Sequence, residues 1–131
     1  MSMSAETYPD DLRYHSEHDW ARFEGEEAVC GITWFAQQSL GEVVYVELPA
    51  AGTQVTGGEP FGEIESLKIV SDVYAPVSGI VVATNALLDD EPARVNADCY
   101  GDGWLIRVRM TDPAEADALL SAADYRALLV T

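Results

Sequence analysis

The stretch Gly62-Glu63-Ile64-Glu65-Ser66-Leu67-Lys68-Ile69-Val70-Ser71-Asp72-Val73-Tyr74-Ala75-Pro76-Val77-Ser78-Gly79 holds the one lysine of this 131-residue chain. Two β-favouring runs, 61–66 and 70–75, flank Lys68, and Pro76 and Gly79 punctuate the end of the second. This pattern predicts a β-hairpin whose tip presents a primary amine to water. Every other strong base in the chain is an arginine.

Upstream of the hairpin, Trp20 to Phe23, a turn at Glu24-Gly25-Glu26-Glu27, and Ala28 to Ile32 read as strand, tight turn and strand. Thr33 is placed to cap a short helix over 35–40, with Gly41 ending it. Residues 43–48 are β-branched and aromatic up to Pro49, which predicts another strand. Downstream, 80–84 is β-like, and 85–103 is mostly turn-forming. Residues 104–110 alternate so that Trp104, Ile106, Val108 and Met110 share a face. Asp112-Pro113-Ala114-Glu115 and Ser121-Ala122-Ala123-Asp124 are both helix-start signals, the first with a capping-box-like acid. Two short C-terminal helices are therefore expected, packing Leu119, Leu120, Tyr125, Leu128 and Leu129 onto the sheet. Residues 1–12 are polar with a Pro-Asp-Asp turn and are expected to form a loosely ordered lead-in to a single domain over 13–131. Many short strands with frequent turn signals fit a mostly β sandwich or flattened barrel, and the alternating helix and strand units of nucleotide-binding folds are absent.

Composition narrows the function classes. The 23 acidic residues against 7 Lys plus Arg give a net charge of −16, which argues against nucleic acid, whose phosphates require a basic face. A dispersed negative charge favours a soluble monomer and steers it toward partners with basic rims. No apolar run approaches the roughly 20 residues that cross a bilayer, and the N-terminus lacks a signal-peptide pattern, so a cytoplasmic protein is expected. Cys30 and Cys99 are expected to be reduced. His15, His18 and Asp19 lie in one short stretch that supplies neither a fourth ligand nor tetrahedral spacing, so no metal site is expected.

A Schiff-base or general-base role for Lys68 requires desolvation or a neighbouring cation. Glu63, Glu65 and Asp72 surround it in sequence instead, and a hairpin tip is wet, so the ammonium stays charged. An attachment point needs only exposure and a defined turn, because the modifying enzyme brings the activated acyl group. The residues thus favour a covalent carrier with no catalytic residue of its own over an enzyme or an ordinary surface lysine.

Glu65-Ser66-Leu67-Lys68, Ser71-Asp72, Tyr74, Pro76 and Ser78-Gly79 closely resemble the lipoylation segment of the glycine cleavage system H-protein family. The resemblance continues through His18-Asp19-Trp20, Gly31-Ile32-Thr33, Ala36-Gln37, Leu40-Gly41-Glu42-Val43-Val44, Val46-Glu47-Leu48-Pro49, Gly52, Val95-Asn96, Tyr100 and Gly103-Trp104, and spans about 14–129. It implies a barrel-sandwich hybrid, the lipoyl/biotinyl-type fold, with lipoate amide-linked to Lys68. The arm would take the aminomethyl group of glycine from the pyridoxal-phosphate-dependent P protein and pass it to tetrahydrofolate on the T protein. The flavin-dependent L protein would then reoxidise the dithiol. It further implies that Glu65 is read by the lipoate-attaching enzyme, and that Asp19 and Asp72 hold the cationic amine of the loaded arm in a cleft. Their other reading is as turn residues bonded to local backbone, and that of Glu65 is as a solvated strand residue.

The chain departs from the family pattern at Leu67, where Val is usual, at Trp34, at Ser39, where many members carry His, and at Arg94. Trp34 is expected to be half-buried beside the early helix. Two other carriers share the hairpin plan: a biotinyl domain, which usually has Met on both sides of the lysine where Leu67 and Ile69 stand here, and an H-like protein that relays lipoyl groups to other acceptors.

Overall fold

The computed structural model describes residues 5–130. Its strands form two antiparallel sheets that leave no closed barrel. The larger has six strands in the order β1 (Arg13–His15), β2 (Asp19–Glu24), β3 (Glu27–Ile32), β9 (Ile106–Met110), β8 (Gly79–Thr84) and β5 (Gln54–Val55). The smaller has three in the order β4 (Val43–Glu47), β6 (Pro60–Ser66) and β7 (Val70–Tyr74). The lysine hairpin is β6–β7, as its composition predicts.

The core between the sheets comes from side-chain alternation. Register places Ala28 opposite Val108 and Cys30 opposite Ile106, and Val108 in turn opposite Val81. All five are buried and pack in one cluster with Val46, Ile64 and Val73 of the smaller sheet. On the other face of β2 and β3, Trp20, Val29 and Gly31 are buried as well, while the charged ends at Arg22, Glu24 and Glu27 reach water. Trp20 and Val29 turn into a second cluster with Tyr14 of β1 and Tyr125 of the C-terminal helix. Residues 28–32 therefore read as a continuous apolar run because their strand is covered on both faces.

Capping chemistry sets the helix ends. Thr33 Oγ1 accepts from Ala36 N at 3.3 Å to start α1 (Trp34–Leu40), and Gly41 ends it at φ 78°. Ser121 Oγ accepts from Asp124 N at 3.1 Å to start α4 (Ala122–Leu129). Tyr125 is fully buried and Leu119 is buried, whereas Leu128 lies exposed on the outer side of α4, contrary to the expected packing. The other expected C-terminal helix is a 3-10 turn, Pro113–Ala118, in which Glu115 makes no capping box. Its carboxylate reaches across to Ser78, accepting from the backbone N at 2.7 Å and from the hydroxyl at 2.9 Å. That bond to the turn before β8 pulls the acid away from its own helix start.

The segment 85–103, expected as turns, contains two single-turn helices, α2 (Leu87–Asp90) and α3 (Arg94–Ala97). They bury Leu88, Val95 and Asn96, and the backbone bonds from Glu91 N to Leu87 O and from Ala97 N to Ala93 O build them. Within the expected lead-in, Tyr8 and Leu12 are buried against the second cluster, and Tyr14 Oη donates to Pro9 O at 2.7 Å. Residues 1–4 lie outside the described residues.

Gly79, which opens β8 after the hairpin, is a position that only glycine fits. A Cβ there would collide with the Arg109 carbonyl oxygen on β9 and lie 2.5 Å from Val108 Cγ1. Neither the backbone oxygen nor a packed core methyl can swing aside. Gly79→Ala is expected to lower the unfolding free energy by about 3 kcal/mol, read from urea denaturation.

Candidate functional site: the lysine hairpin and its acid-lined cleft

The hairpin tip is a short, cross-bonded turn. Ser66 N donates to Ile69 O at 2.8 Å, closing the turn around Leu67 and Lys68. The buried Ser66 hydroxyl oxygen accepts from Lys68 N at 3.2 Å and Ile69 N at 3.1 Å. From outside the hairpin, Leu67 N donates to Glu42 O at 3.1 Å. A small polar side chain is thus required directly before the tip. Sequence reasoning assigned Ser66 no role, although its place beside an exposed turn is the ordinary signal for a side-chain-to-backbone bond.

Lys68 is exposed, and Leu67 beside it is 75% exposed. The lysine stem runs past Gly41, where an added Cβ would sit 3.6 Å from Lys68 Cε. The position of Gly41 is itself set from elsewhere in the chain. Asn96, fully buried on α3, donates through Nδ2 to Gly41 O at 2.7 Å and to Gln37 Oε1 at 3.1 Å, while its Oδ1 accepts from Val43 N at 2.9 Å. One side chain therefore joins the end of α1 to the start of β4, and Glu42 between them carries the carbonyl that holds the tip.

Next to the tip, β2, α1 and β7 enclose a cleft of about 140 Å³, lined by His18, Asp19, Phe35, Ser39, Ile69 and Asp72 among others. The fold thus brings Asp19 and Asp72 to one cleft from positions 53 residues apart. Both lie in strands, so the turn reading does not apply to either. Glu65 stands outside the cleft on the exposed face of β6, opposite Tyr45 on one side and Val70 on the other. A wider hollow of about 420 Å³ between Tyr8 and Arg126 is lined by no residue of the hairpin.

Asp19 is the unusual member. It is 2% exposed, and its Oδ2 has no hydrogen-bond partner. Burial pushes its carboxyl well above the ordinary 3.8, against a hydrogen bond from the Tyr74 backbone that favours the anion, and the charge of Glu17 adds to the rise. Beside it, His18 adopts φ 74°, the one positive value at a non-glycine position among the described residues. Its Nδ1 lies 2.7 Å from Tyr125 Oη, which also contacts Thr33 Oγ1 at 2.8 Å, and its ring packs on Phe35. Burial lowers the His18 pKa, favouring the neutral ring. α4 thereby props the cleft wall, a link that no local sequence pattern carries.

The remaining departures have structural places. Trp34 is half-buried against the second cluster, as expected. Ser39 lines the cleft and is exposed. Arg94 pairs with Glu91 at 3.0 Å and reaches Asp102 at 3.9 Å, bridging α3 to the following turn. His15 Nδ1 accepts from Glu17 N, and no group of three or more metal-ligating side chains occurs among the described residues. Cys30 and Cys99 are free and buried, and burial raises both thiols.

A lone lysine on a stiffened hairpin, carried by two facing antiparallel sheets, defines the class: a barrel-sandwich domain of the lipoyl/biotinyl type. The glycine cleavage H-protein model matches residues 12–131. A probable glycine cleavage system H protein of Haloarcula marismortui is 57% identical over 118 residues, covering 90% of this chain and 93% of the relative. The H protein of Myxococcus xanthus is 51% identical over 125 residues, covering 95% and 97%. The crystal structure of a glycine cleavage system H protein from Mycobacterium marinum superposes with a TM-score of 0.86 at 38% identity, covering 95% of this chain and all of that one. The chain belongs to the glycine cleavage H-protein family.

Two measurements probe this geometry. Ser66→Ala removes the acceptor of two tip amides and is expected to lower the unfolding free energy by about 1 kcal/mol and to speed amide exchange at Lys68 and Ile69. For Asp19, a folded-state pKa raised above the unfolded value means that the native state binds more protons. Its contribution to stability is full below the ordinary carboxylate value and is lost as pH rises through the raised one. The unfolding free energy of the unaltered chain should therefore fall relative to that of Asp19→Asn as pH rises above about 4, the ordinary carboxylate range, and parallel pH curves would refute the buried, unpaired acid.

Proposed function

We propose that this chain is a lipoyl carrier of the glycine cleavage system, with lipoate in amide linkage on Lys68. The observation that carries the reading is an exposed primary amine on a cross-bonded tip, set beside a cleft that holds two carboxylates. An amide-linked arm suits these residues: the anchor faces water, Ser66 fixes the direction of its backbone, and Gly41 leaves room along the stem.

When bound, lipoate supplies a dithiolane that takes the aminomethyl group of glycine at the P protein, yields it at the T protein and is reoxidised at the L protein. The chain's own residues do simpler work. Lys68 anchors, and on acylation gives up the one positive charge of the hairpin. Asp72, and Asp19 deeper in the same cleft, attract the cationic amine of a loaded arm. Entry of a cation offers the unpaired Asp19 Oδ2 a partner, which favours its ionised form. Phe35 and Ile69, both exposed, give the cleft mouth apolar sides. Glu65, exposed three residues before the lysine, is the side chain the lipoate-attaching enzyme reads. No nucleophile or general base of this chain takes part, so it is a non-catalytic component. The same reading places it in the cytoplasm as a monomer.

Intact mass after expression with lipoate should show one lipoyl adduct that Lys68→Arg abolishes. The modified chain should support glycine-dependent exchange of bicarbonate carbon with a P protein. An adduct of biotin mass overturns lipoate, and a lipoylated chain inert with P protein favours relay to other acceptors.

A further inference from the structure

The three-stranded sheet has an inner and an outer face. Val46 and Ile64 point into the core, and the register then lines up two outer rows across β4, β6 and β7. One row is Tyr45, Glu65 and Val70; the other is Glu47, Glu63 and Asp72. All six side chains are exposed, Tyr45 by 56% and Val70 by 58%.

Both rows run against the usual rules for a solvated sheet. Like charges directly opposite one another on neighbouring strands destabilise the pairing, and three carboxylates stand in line with no ion pair among the described residues to relieve them. The adjoining row exposes an aromatic and a β-branched residue next to Leu67 at the tip. An apolar strip bordered by unpaired negative charge is the complement of a partner with an apolar ledge and a basic rim.

Resting on the lipoyl-carrier reading, we propose that this outer face docks the enzyme that acylates Lys68, through an apolar ledge against Tyr45 and Val70 and arginine or lysine side chains against Glu47 and Glu63. Reach selects this partner. An unmodified lysine extends only by its four-carbon stem, so the acylating enzyme must touch the tip and the strand rows beside it. Proteins that act on the end of a completed arm can stand further off. The step served forms the amide bond from Lys68 Nζ to the acyl carbon of an acyl adenylate. The acyl–phosphate bond breaks, the nucleoside monophosphate leaves, and the ammonium releases two protons, so no oxidant or reductant is needed.

The test measures acylation by intact mass, with a purified lipoate-attaching enzyme, lipoate and ATP, at several salt concentrations. Three chains are compared: the unaltered one, Glu47→Gln/Glu63→Gln, and a control, Glu26→Gln/Asp117→Asn, that removes equal charge elsewhere. The face variant is expected to lose about tenfold in kcat/KM with kcat retained and a flatter salt dependence, while the control holds its rate. Its melting temperature should stay level or rise, because a repulsive row has been relieved, so a loss of rate cannot be assigned to unfolding. Equal loss in the control, or no loss in the face variant, overturns the docking face and leaves the carrier reading standing. Retained acylation with impaired glycine-dependent exchange, measured on pre-lipoylated variants with P protein, overturns the chosen partner. Absence of any adduct on the unaltered chain overturns both readings.

Discussion

A single buried amide, that of Asn96, holds the parts of the site in place. Its carbonyl and amino groups are spent on Val43 N, Gly41 O and Gln37 Oε1, so the end of α1 and the start of β4 are tied to α3. Buried polar groups must be paired, and a fully used amide is stiff because any movement leaves a donor or acceptor stranded. The bond from Glu42 O to Leu67 N passes that stiffness to the hairpin tip. A tip of two strands alone would be only marginally ordered.

The electrostatics of the hairpin follow from where the carboxylates fall on the sheet. Strand alternation sends Glu63, Glu65 and Asp72 outward, beside one lysine. Acylation of that lysine, as proposed, would remove its charge and leave the acids unopposed. Asp19 differs in kind from these, since it is shielded from water and lacks a partner on one oxygen. The acids around the hairpin thus meet two environments, a wet outer face and a cleft that Asp72 borders and in which Asp19 is buried.

Much of this was legible in the chain. The hairpin arms, the strand pair around Gly25, α1 with Thr33 and Gly41 at its ends, and the Ser121 start of α4 are signals within a few residues, where turn and capping chemistry is local. Segment 85–103 was not legible, because α2 and α3 are single turns too short for a periodic pattern, and their burial comes from packing. Glu115 misled for a related reason: its spacing suits a capping box, but Ser78, 37 residues away, offers it better donors. Leu128 is one apolar residue on a short helix whose buried side is set by Tyr125.

By itself the sequence determined that the chain is mostly β, acidic throughout and equipped with one amine on a turn, since these depend on composition and near-neighbour geometry. Only the tertiary structure decided that Asp19 and Asp72 share a cleft, that Tyr125 supports His18 from the far end of the chain, and that Glu47, Glu63 and Asp72 form one row. Each of these is a long-range juxtaposition, and strand register together with helix docking sets it through the burial of the whole core.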